Sequence, residues 1–335
     1  MKPVACFGEV LVDFQPVVSM DPSQSRTFQQ HAGGAPANVA VAVAALGGKA
    51  EFVGMLALDM FAEFLLDSLH RAGVGTSHVQ RTGAAPTALA FVTLDEHGER
   101  SFVFYRPPAA DLLFRECKLS ASAFANTSIF HACSNSLTEQ GIAQTTLVCM
   151  RRAREAGVLV SFDMNLRPAL WPPGVDPGPR IRSALALADI VKLSAEELAF
   201  LAESAGDEAA AISEIQGGHA RLILVTDGAL PLRWYATRTQ GVLDTYAVRA
   251  IDSTAAGDAF SGGLLFALAS AGVQASDLDG LIADRARLDD ILRFACACGA
   301  LATTRRGAFA AMPARAEVEA LMQAPAAGQL KVASQ

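Results

Sequence analysis

What most limits the folds open to this chain is an alternation that runs through its middle. Four short, β-rich apolar runs, at 129–132, 158–162, 189–193 and 222–226, are separated by helical stretches at about 139–156, 195–205 and 208–217. Strands buried on both faces read as continuous apolar runs, and parallel neighbours need helical crossovers. The pattern therefore predicts βαβ units and a mostly parallel sheet with helices on both faces. Upstream, 4–7, 10–12 and 52–56 read as strands. The stretch 36–46 reads as an Ala-rich helix stopped by Gly47-Gly48, and 60–72 as an amphipathic helix ending before Gly73. Runs 87–94 and 100–105 flank Asp95-Glu96-His97-Gly98-Glu99 as an antiparallel hairpin. Downstream come a strand pair at 232–236 and 242–249, and helices at about 257–272 and 288–304. A short helix after Pro313 is followed by an Ala/Pro/Gly-rich tail, expected to be mobile.

No repeat or low-complexity linker divides the sequence, so the expected architecture is one doubly wound α/β domain over 1–335. The segments at roughly 13–32 and 83–110 do not suit a parallel sheet. They are read as a small antiparallel flap, a lid over the ligand cleft. Ligands of such folds bind outside the carboxyl ends of the strands, where Asp13, Asp163 and Asp227 are expected.

Composition excludes several classes. With 51% hydrophobic and 18% charged residues, the 335-residue chain can bury a large core. A net charge of −7 argues against nucleic acid as a partner. No apolar stretch reaches the ~20 residues of a membrane span, and the first residues read as a strand rather than a signal peptide. Cys6, Cys117, Cys133, Cys149, Cys296 and Cys298 are scattered through apolar segments, as expected of buried free thiols in a reducing cytoplasm. Cys296 and Cys298 point to different faces of one helix, and the six histidines lack metal-binding spacing.

The strongest local motif is Asp252-Ser253-Thr254-Ala255-Ala256-Gly257-Asp258-Ala259-Phe260-Ser261-Gly262-Gly263. Small residues open a helix whose apolar face is Phe260, Leu264, Leu265 and Leu268. Backbone N–H groups there can approach an anion, and the helix dipole favours it. Asp258 is then an odd second negative charge in the first turn. Phosphoryl transfer accounts for it: a carboxylate accepts the proton of an incoming hydroxyl while the backbone holds the charge on the phosphoryl group. The alternative is an ordinary helix start, although a capping box from Ser253 or Thr254 would want Glu or Gln where Ala256 and Gly257 stand.

A second motif, Gly33-Gly34-Ala35-Pro36-Ala37-Asn38-Val39-Ala40, offers bare backbone to a ligand and an amide to a hydroxyl, or is simply a turn entering a helix. In Ser161-Phe162-Asp163-Met164-Asn165-Leu166-Arg167-Pro168, Asn165 and Arg167 either touch sugar or phosphate or belong to a polar loop under the flap. Arg106 either reaches down from the flap or is a solvated hairpin arginine. Lys192, ending a strand, either meets phosphate or snorkels to water. There is no Walker loop around Gly47-Gly48-Lys49. The missing early GxGxxG excludes a dinucleotide-dependent oxidoreductase.

Together, the segments 33–40 and 252–260 closely resemble the two signatures of the ribokinase-like (PfkB) sugar kinases, in the same order and over nearly the whole length. The resemblance implies Asp258 as catalytic base, with the backbone of Ala255, Ala256 and Gly257 as the anion hole. It implies Asp13, Gly33, Gly34 and Asn38 at the sugar, and Thr226-Asp227-Gly228 as the nucleotide loop. Ser194 and Glu197 match an Asn-x-x-Glu element that organises Mg²⁺ and phosphate, with Ser replacing Asn. Asp252 and Thr254, with Ala302 and Gly307, match a K⁺ site. ATP and Mg²⁺ are the implied cofactors, K⁺ a further one, and a homodimer paired through its flaps the expected assembly.

Gly8-Glu9-Val10-Leu11-Val12-Asp13-Phe14, Phe104-Tyr105-Arg106-Pro107 and the 163–171 segment look most like bacterial fructokinases. Phosphorylation of fructose to fructose 6-phosphate is thus expected, ahead of 2-keto-3-deoxygluconate kinase or ribokinase. A non-catalytic sugar-binding sensor is the alternative of another class. It would not need Asp258.

Overall fold

The structure, a computed structural model, describes residues 1–17, 27–94, 100–119 and 121–324. The expected hairpin turn at 95–99, part of the flap at 18–26 and the tail beyond 324 lie outside the described residues. In chain order the strands are β1 (Val4–Phe7), β2 (Leu11–Val17), β3 (Thr27–Gly33), β4 (Ala50–Ala57), β5 (Gly75–Thr82), β6 (Leu89–Leu94), β7 (Arg100–Tyr105), β8 (Ile129–Cys133), β9 (Leu159–Asp163), β10 (Ile190–Ser194), β11 (Leu222–Asp227), β12 (Leu230–Ala236) and β13 (Thr239–Leu243). The helices are α1 (Ala35–Ala45), α2 (Met60–Arg71), α3 (Ala121–Ala125), α4 (Gln140–Glu155), α5 (Gly178–Leu185), α6 (Ala195–Ala205), α7 (Glu208–Gln216), α8 (Ala256–Ser270), α9 (Leu278–Ala283), α10 (Arg285–Ala302) and α11 (Arg315–Gln323).

Nine strands form one sheet in the order β13-β12-β11-β10-β9-β8-β1-β4-β5. From β11 to β5 every pairing is parallel, and β12 and β13 close one edge as an antiparallel hairpin. The period-2 alternation of each central strand separates two cores. Val4, Cys6, Ile129, Leu159, Ile190 and Leu222 face α1, α2 and α8–α11. Ala5, Phe7, Phe130, Val160, Val191 and Ile223 face α4–α7.

The chain runs β1, β4, β5 in one direction and then returns to β8–β11 on the other side of β1. Strand order therefore reverses between β1 and β8, and a crevice opens there at the carboxyl ends.

A second sheet, β3-β2-β6-β7, stands over that crevice. Its outer pairs are antiparallel as expected, but β2 and β6 pair in parallel, from Val12↔Leu89 to Phe14↔Phe91. The reason lies in the connections: β2 and β6 continue from the carboxyl ends of β1 and β5, which already run the same way. Rings bind the lid together, with Phe14 and Phe91 stacked at 4.9 Å and Phe28 and Tyr105 edge-on to Phe91.

Other expectations shift. The polar edge strand β5 was not anticipated. β13 starts at Thr239 and ends at Leu243, so 244–249 are not strand. Cys117 is exposed, unlike the other five thiols, and all six are free. α8 is buried on every side rather than along one apolar face. Its small residues explain how: side chains on Gly262 or Gly263 would collide with Ala42 of α1 or Cys298 of α10. No single helix among the described residues is long and apolar enough to cross a membrane.

Candidate active site

The crevice is built from the ends of strands and the starts of two helices. α8 begins at Ala255, which caps it in the left-handed conformation at φ 59° without a side-chain capping bond. An alanine held there turns the chain sharply, and no side chain caps the helix start, although Ala256 N already donates to the Ser253 carbonyl at 3.2 Å. Asp258, in the first turn, is only 9% exposed. Its Oδ2 accepts from Nδ2 of Asn38 at 2.7 Å, joining the two motifs of the sequence across 220 residues. The amide oxygen of Asn38 is buried with no partner, as a group awaiting a hydroxyl would be.

Asp13 faces the same space from β2. It therefore lies in the middle of a lid strand rather than at a carboxyl end of the large sheet, where Asp163 and Asp227 do fall. A Cβ on Gly33 would strike the Asp13 carboxylate, and one on Gly34 would lie 2.7 Å from the Glu9 carbonyl oxygen. Burial pushes Asp13 up to about 7, helped by the charge of Asp258. Burial likewise pushes Asp258 up to about 6. Asp163 adds to that rise, while the Asn38 bond, Arg167 and Lys192 oppose it.

Lys192 does not snorkel. It is 7% exposed, its Nζ donates to Asp163 Oδ1 at 3.2 Å, and a Cβ on Gly257 would lie 2.9 Å from that nitrogen. Burial alone would drive its proton off, but Asp163 and Glu197 hold the ammonium more firmly than usual.

Ser194 and Glu197 form a capping box at the start of α6: Ser194 Oγ accepts from Glu197 N, and Glu197 Oε2 accepts from Ser194 N at 2.8 Å. This explains the Ser in place of Asn, since either caps a helix. Glu197 Oε1 accepts from Leu166 N at 2.7 Å, which ties this corner to the loop carrying Asn165. Asn165 is itself buried, in the left-handed region at φ 38°. Arg167 is exposed, with one nitrogen on the Leu166 carbonyl, and only its charge is felt at Asp258.

Arg106 is not a solvated hairpin arginine. It is 1% exposed and turned under the lid, where Nε and Nη2 both donate to Asp111 Oδ2 at 2.9 and 2.6 Å. Around it is a buried polar group that sequence reasoning missed. Glu9, just past β1, accepts from Asn135 Nδ2 and from Ala35 N at the start of α1. Position was the available signal, because Glu9 follows a strand at the ligand end.

Beyond α8, a cavity of about 520 Å³ is lined by Thr226, Gly228, Tyr246, Phe260, Cys296 and Thr303 among others. It reaches Ala256 and Gly257, so an apolar ring and an anionic tail fit end to end. Its far wall, from the 244–250 segment and α10, has no local sequence signal. Asp252 accepts from Thr254 N at 3.0 Å and from Gly307 N at 3.3 Å, so these three of the K⁺-site residues do converge. Ala302 is buried in the last turn of α10. The carbonyl accepting from the 251–252 backbone is that of its neighbour Thr303. Among the described residues no three His, Cys, Asp or Glu side chains cluster to hold a metal.

Comparison with known proteins finds similar chains over nearly the whole length. The fructokinase of Xylella fastidiosa, crystallised with ATP bound, superposes with a TM-score of 0.92 at 52% identity, over 96% of this chain and 98% of that one. The fructokinase of Vibrio cholerae in its fructose-, ADP- and calcium-bound form gives 0.82 at 34% identity, over 96% and 99%. A probable fructokinase of Arabidopsis thaliana is 39% identical over 321 residues, 96% of this chain and 97% of the relative. The profile of the pfkB family carbohydrate kinases matches residues 1–315, and by that match and these near-full-length similarities the chain belongs to the pfkB family of carbohydrate kinases.

Proposed function

We propose that this chain transfers the terminal phosphoryl group of ATP to the 6-hydroxyl of fructose, with Asp258 accepting the hydroxyl proton. The observation that carries the reading is the Asp258–Asn38 contact at the first turn of α8. It places a basic carboxylate and an unpartnered amide oxygen beside backbone donors suited to a phosphate. The incoming hydroxyl lies between Asp13 and Asp258, with the ring against Gly33 and Gly34 and near Asn165. The adenine occupies the cavity by Thr226 and Gly228, and the phosphates lie along Ala255, Ala256 and Gly257 beside Lys192. The lid closes over the sugar and keeps water from the phosphoryl group.

The donor set suits a cation that arrives with the nucleotide, since Glu197 is a buried carboxylate and no cluster of three metal-binding side chains stands among the described residues. Mg²⁺ on the triphosphate would neutralise charge there, with Glu197 acting through water. Asp252, Thr254, Ala302 and Gly307 would hold K⁺ beside the anion hole. The reaction needs no nucleic acid and no membrane, and the cytoplasm, where ATP is made, suits it. Phe28, Val103 and Tyr105 stand exposed on the lid sheet. A second copy of the chain, covering these side chains, is the assembly we infer.

Fructose is preferred to an acid sugar because Arg106, the buried cation under the lid, is already matched by Asp111. The test is kcat/KM from ADP release with fructose, 2-keto-3-deoxygluconate and ribose. Fructose should exceed the others at least tenfold. If the acid sugar does so instead, the kinase reading stands and the fructose reading falls. No sugar-dependent ADP release at all would favour a binding-only sensor.

A further inference from the structure

The side chains beneath the first turns of α8 do more than line the crevice. Asp163 ends β9, Lys192 is its registered partner on β10, and Ser261 comes down from α8. All three are buried, on a sheet face that also carries the buried pair His131 and Ser161. Both carboxylate oxygens of Asp163 are engaged: Oδ1 accepts from Lys192 Nζ at 3.2 Å and Oδ2 accepts from Ser261 Oγ at 3.0 Å. Ser261 lies three residues past Asp258 and so shares its side of the helix. Gly257 has no room for a side chain because the Lys192 ammonium stands there.

We propose that Asp163 is a positioning residue for phosphoryl transfer: one oxygen holds Lys192 against the first turn of α8, where the ammonium meets the transferred phosphate, and the other fixes, through Ser261, the helix that carries Asp258. The proposal rests on the kinase reading above and adds a role for a residue that itself touches neither sugar nor nucleotide. An ammonium has three donors. With one given to Asp163, two stay available at the place where Gly257 exposes its backbone. A buried lysine without a carboxylate partner tends to lose its proton or swing out to water. Asp163 prevents both. It also links two elements that phosphoryl transfer requires in fixed relation, the phosphate-binding cation and the turn bearing the base.

A merely structural ion pair would, when broken, weaken every ligand alike. Positioning of Lys192 predicts a selective loss. Asp163→Asn keeps an oxygen for Ser261 and removes the charge that orders Lys192. Its kcat/KM for ATP should fall about 100-fold, the scale of a small misplacement at the reacting centre. KM for fructose and competitive inhibition by adenosine, which has no phosphate, should change less than threefold.

Because the single change leaves a buried ammonium unpaired, the double variant Asp163→Asn/Lys192→Gln is compared with Lys192→Gln alone. If Asp163 acts through Lys192, the two should agree within threefold in kcat/KM for ATP, and in ATP affinity by calorimetry. A further 100-fold loss in the double variant, or equal losses of ATP and adenosine binding in Asp163→Asn, overturns the proposal. Wild-type enzyme without fructose-dependent ADP release would instead overturn the kinase reading. The calorimetric comparison of ATP with adenosine would then still decide the role of Asp163.

Discussion

Replacing Asp258 by Asn separates what this carboxylate does for catalysis from what it does to the fold. As the general base it should be worth roughly 10²–10⁴ in kcat, with little change in the affinity for ATP or fructose. The same change should stabilise the protein. Burial, with Asp163 nearby, raises Asp258 from 3.8 to about 6. At about 1.36 kcal/mol per pH unit this corresponds to about 3 kcal/mol of stability forgone when the group is ionised.

The sign follows from proton uptake: the folded state holds this proton more tightly than the unfolded chain, so stability declines as pH rises from about 4 to about 6. Above that the penalty is complete. The new amide can still accept from Asn38 and carries no charge, so the variant escapes the penalty. For 335 residues, an unfolding entropy of about 2.1 cal/mol/K per residue turns 3 kcal/mol into a rise of about 4 °C in Tm. Calorimetry at pH 8 and pH 4 on ligand-free protein is the assay, run beside turnover. The gain should appear at pH 8 and vanish at pH 4. A variant with half of wild-type turnover removes Asp258 from the chemistry. A variant no more stable than wild type at pH 8 refutes the electrostatic reasoning.

Three further outcomes are expected. The kcat/KM for fructose should bend downward as pH falls below about 7 and drop steeply below about 6, as Asp13 and then Asp258 take up protons; a profile flat to pH 5 would show that neither must be ionised. Gly33→Ala drives a methyl group into the Asp13 carboxylate and should raise KM for fructose roughly tenfold or more, leaving KM for ATP unchanged; an unaltered fructose KM would remove Asp13 from the sugar. Exchanging K⁺ for tetramethylammonium at fixed ionic strength should slow turnover several-fold in wild type but not in Asp252→Ala, and equal wild-type rates would argue against a cation beside Asp252.

How much of this was legible depends on how local the determinants are. The central strands β8–β11 could be read because burial on both faces makes them continuous apolar runs. β5 could not, because it is a half-buried edge strand whose GTSHVQRT sequence carries little apolar period. The two glycine-containing motifs identified themselves through residue types that backbone approach requires. Their contact, Asn38 to Asp258, is a product of topology that no window of sequence contains. Ser194-Ala195-Glu196-Glu197 held a capping-box signal in plain view, and the metal reading of Glu197 hid it. The parallel pairing of β2 with β6, the turning of Arg106 under the lid and the far wall of the cavity all depend on where distant elements arrive.

The charges at the crevice carry one more consequence for the order in which it fills. Asp13, Asp163, Glu197 and Asp258 act on one another around a single buried ammonium, with Arg167 outside in solvent. An acidic cluster is a poor host for a free phosphate, yet the start of α8 is shaped for one. The conflict is resolved if negative charge enters already matched by a cation, as it does on a metal-bound triphosphate. The raised affinity of Asp13 and Asp258 for protons is the other half of that balance. Without ligands, the cheapest way to relieve the repulsion is to hold a proton, and a carboxylate poised to take a proton from solvent can also take one from a sugar hydroxyl. The destabilising burial of Asp258 and its fitness as a base thus have one physical origin.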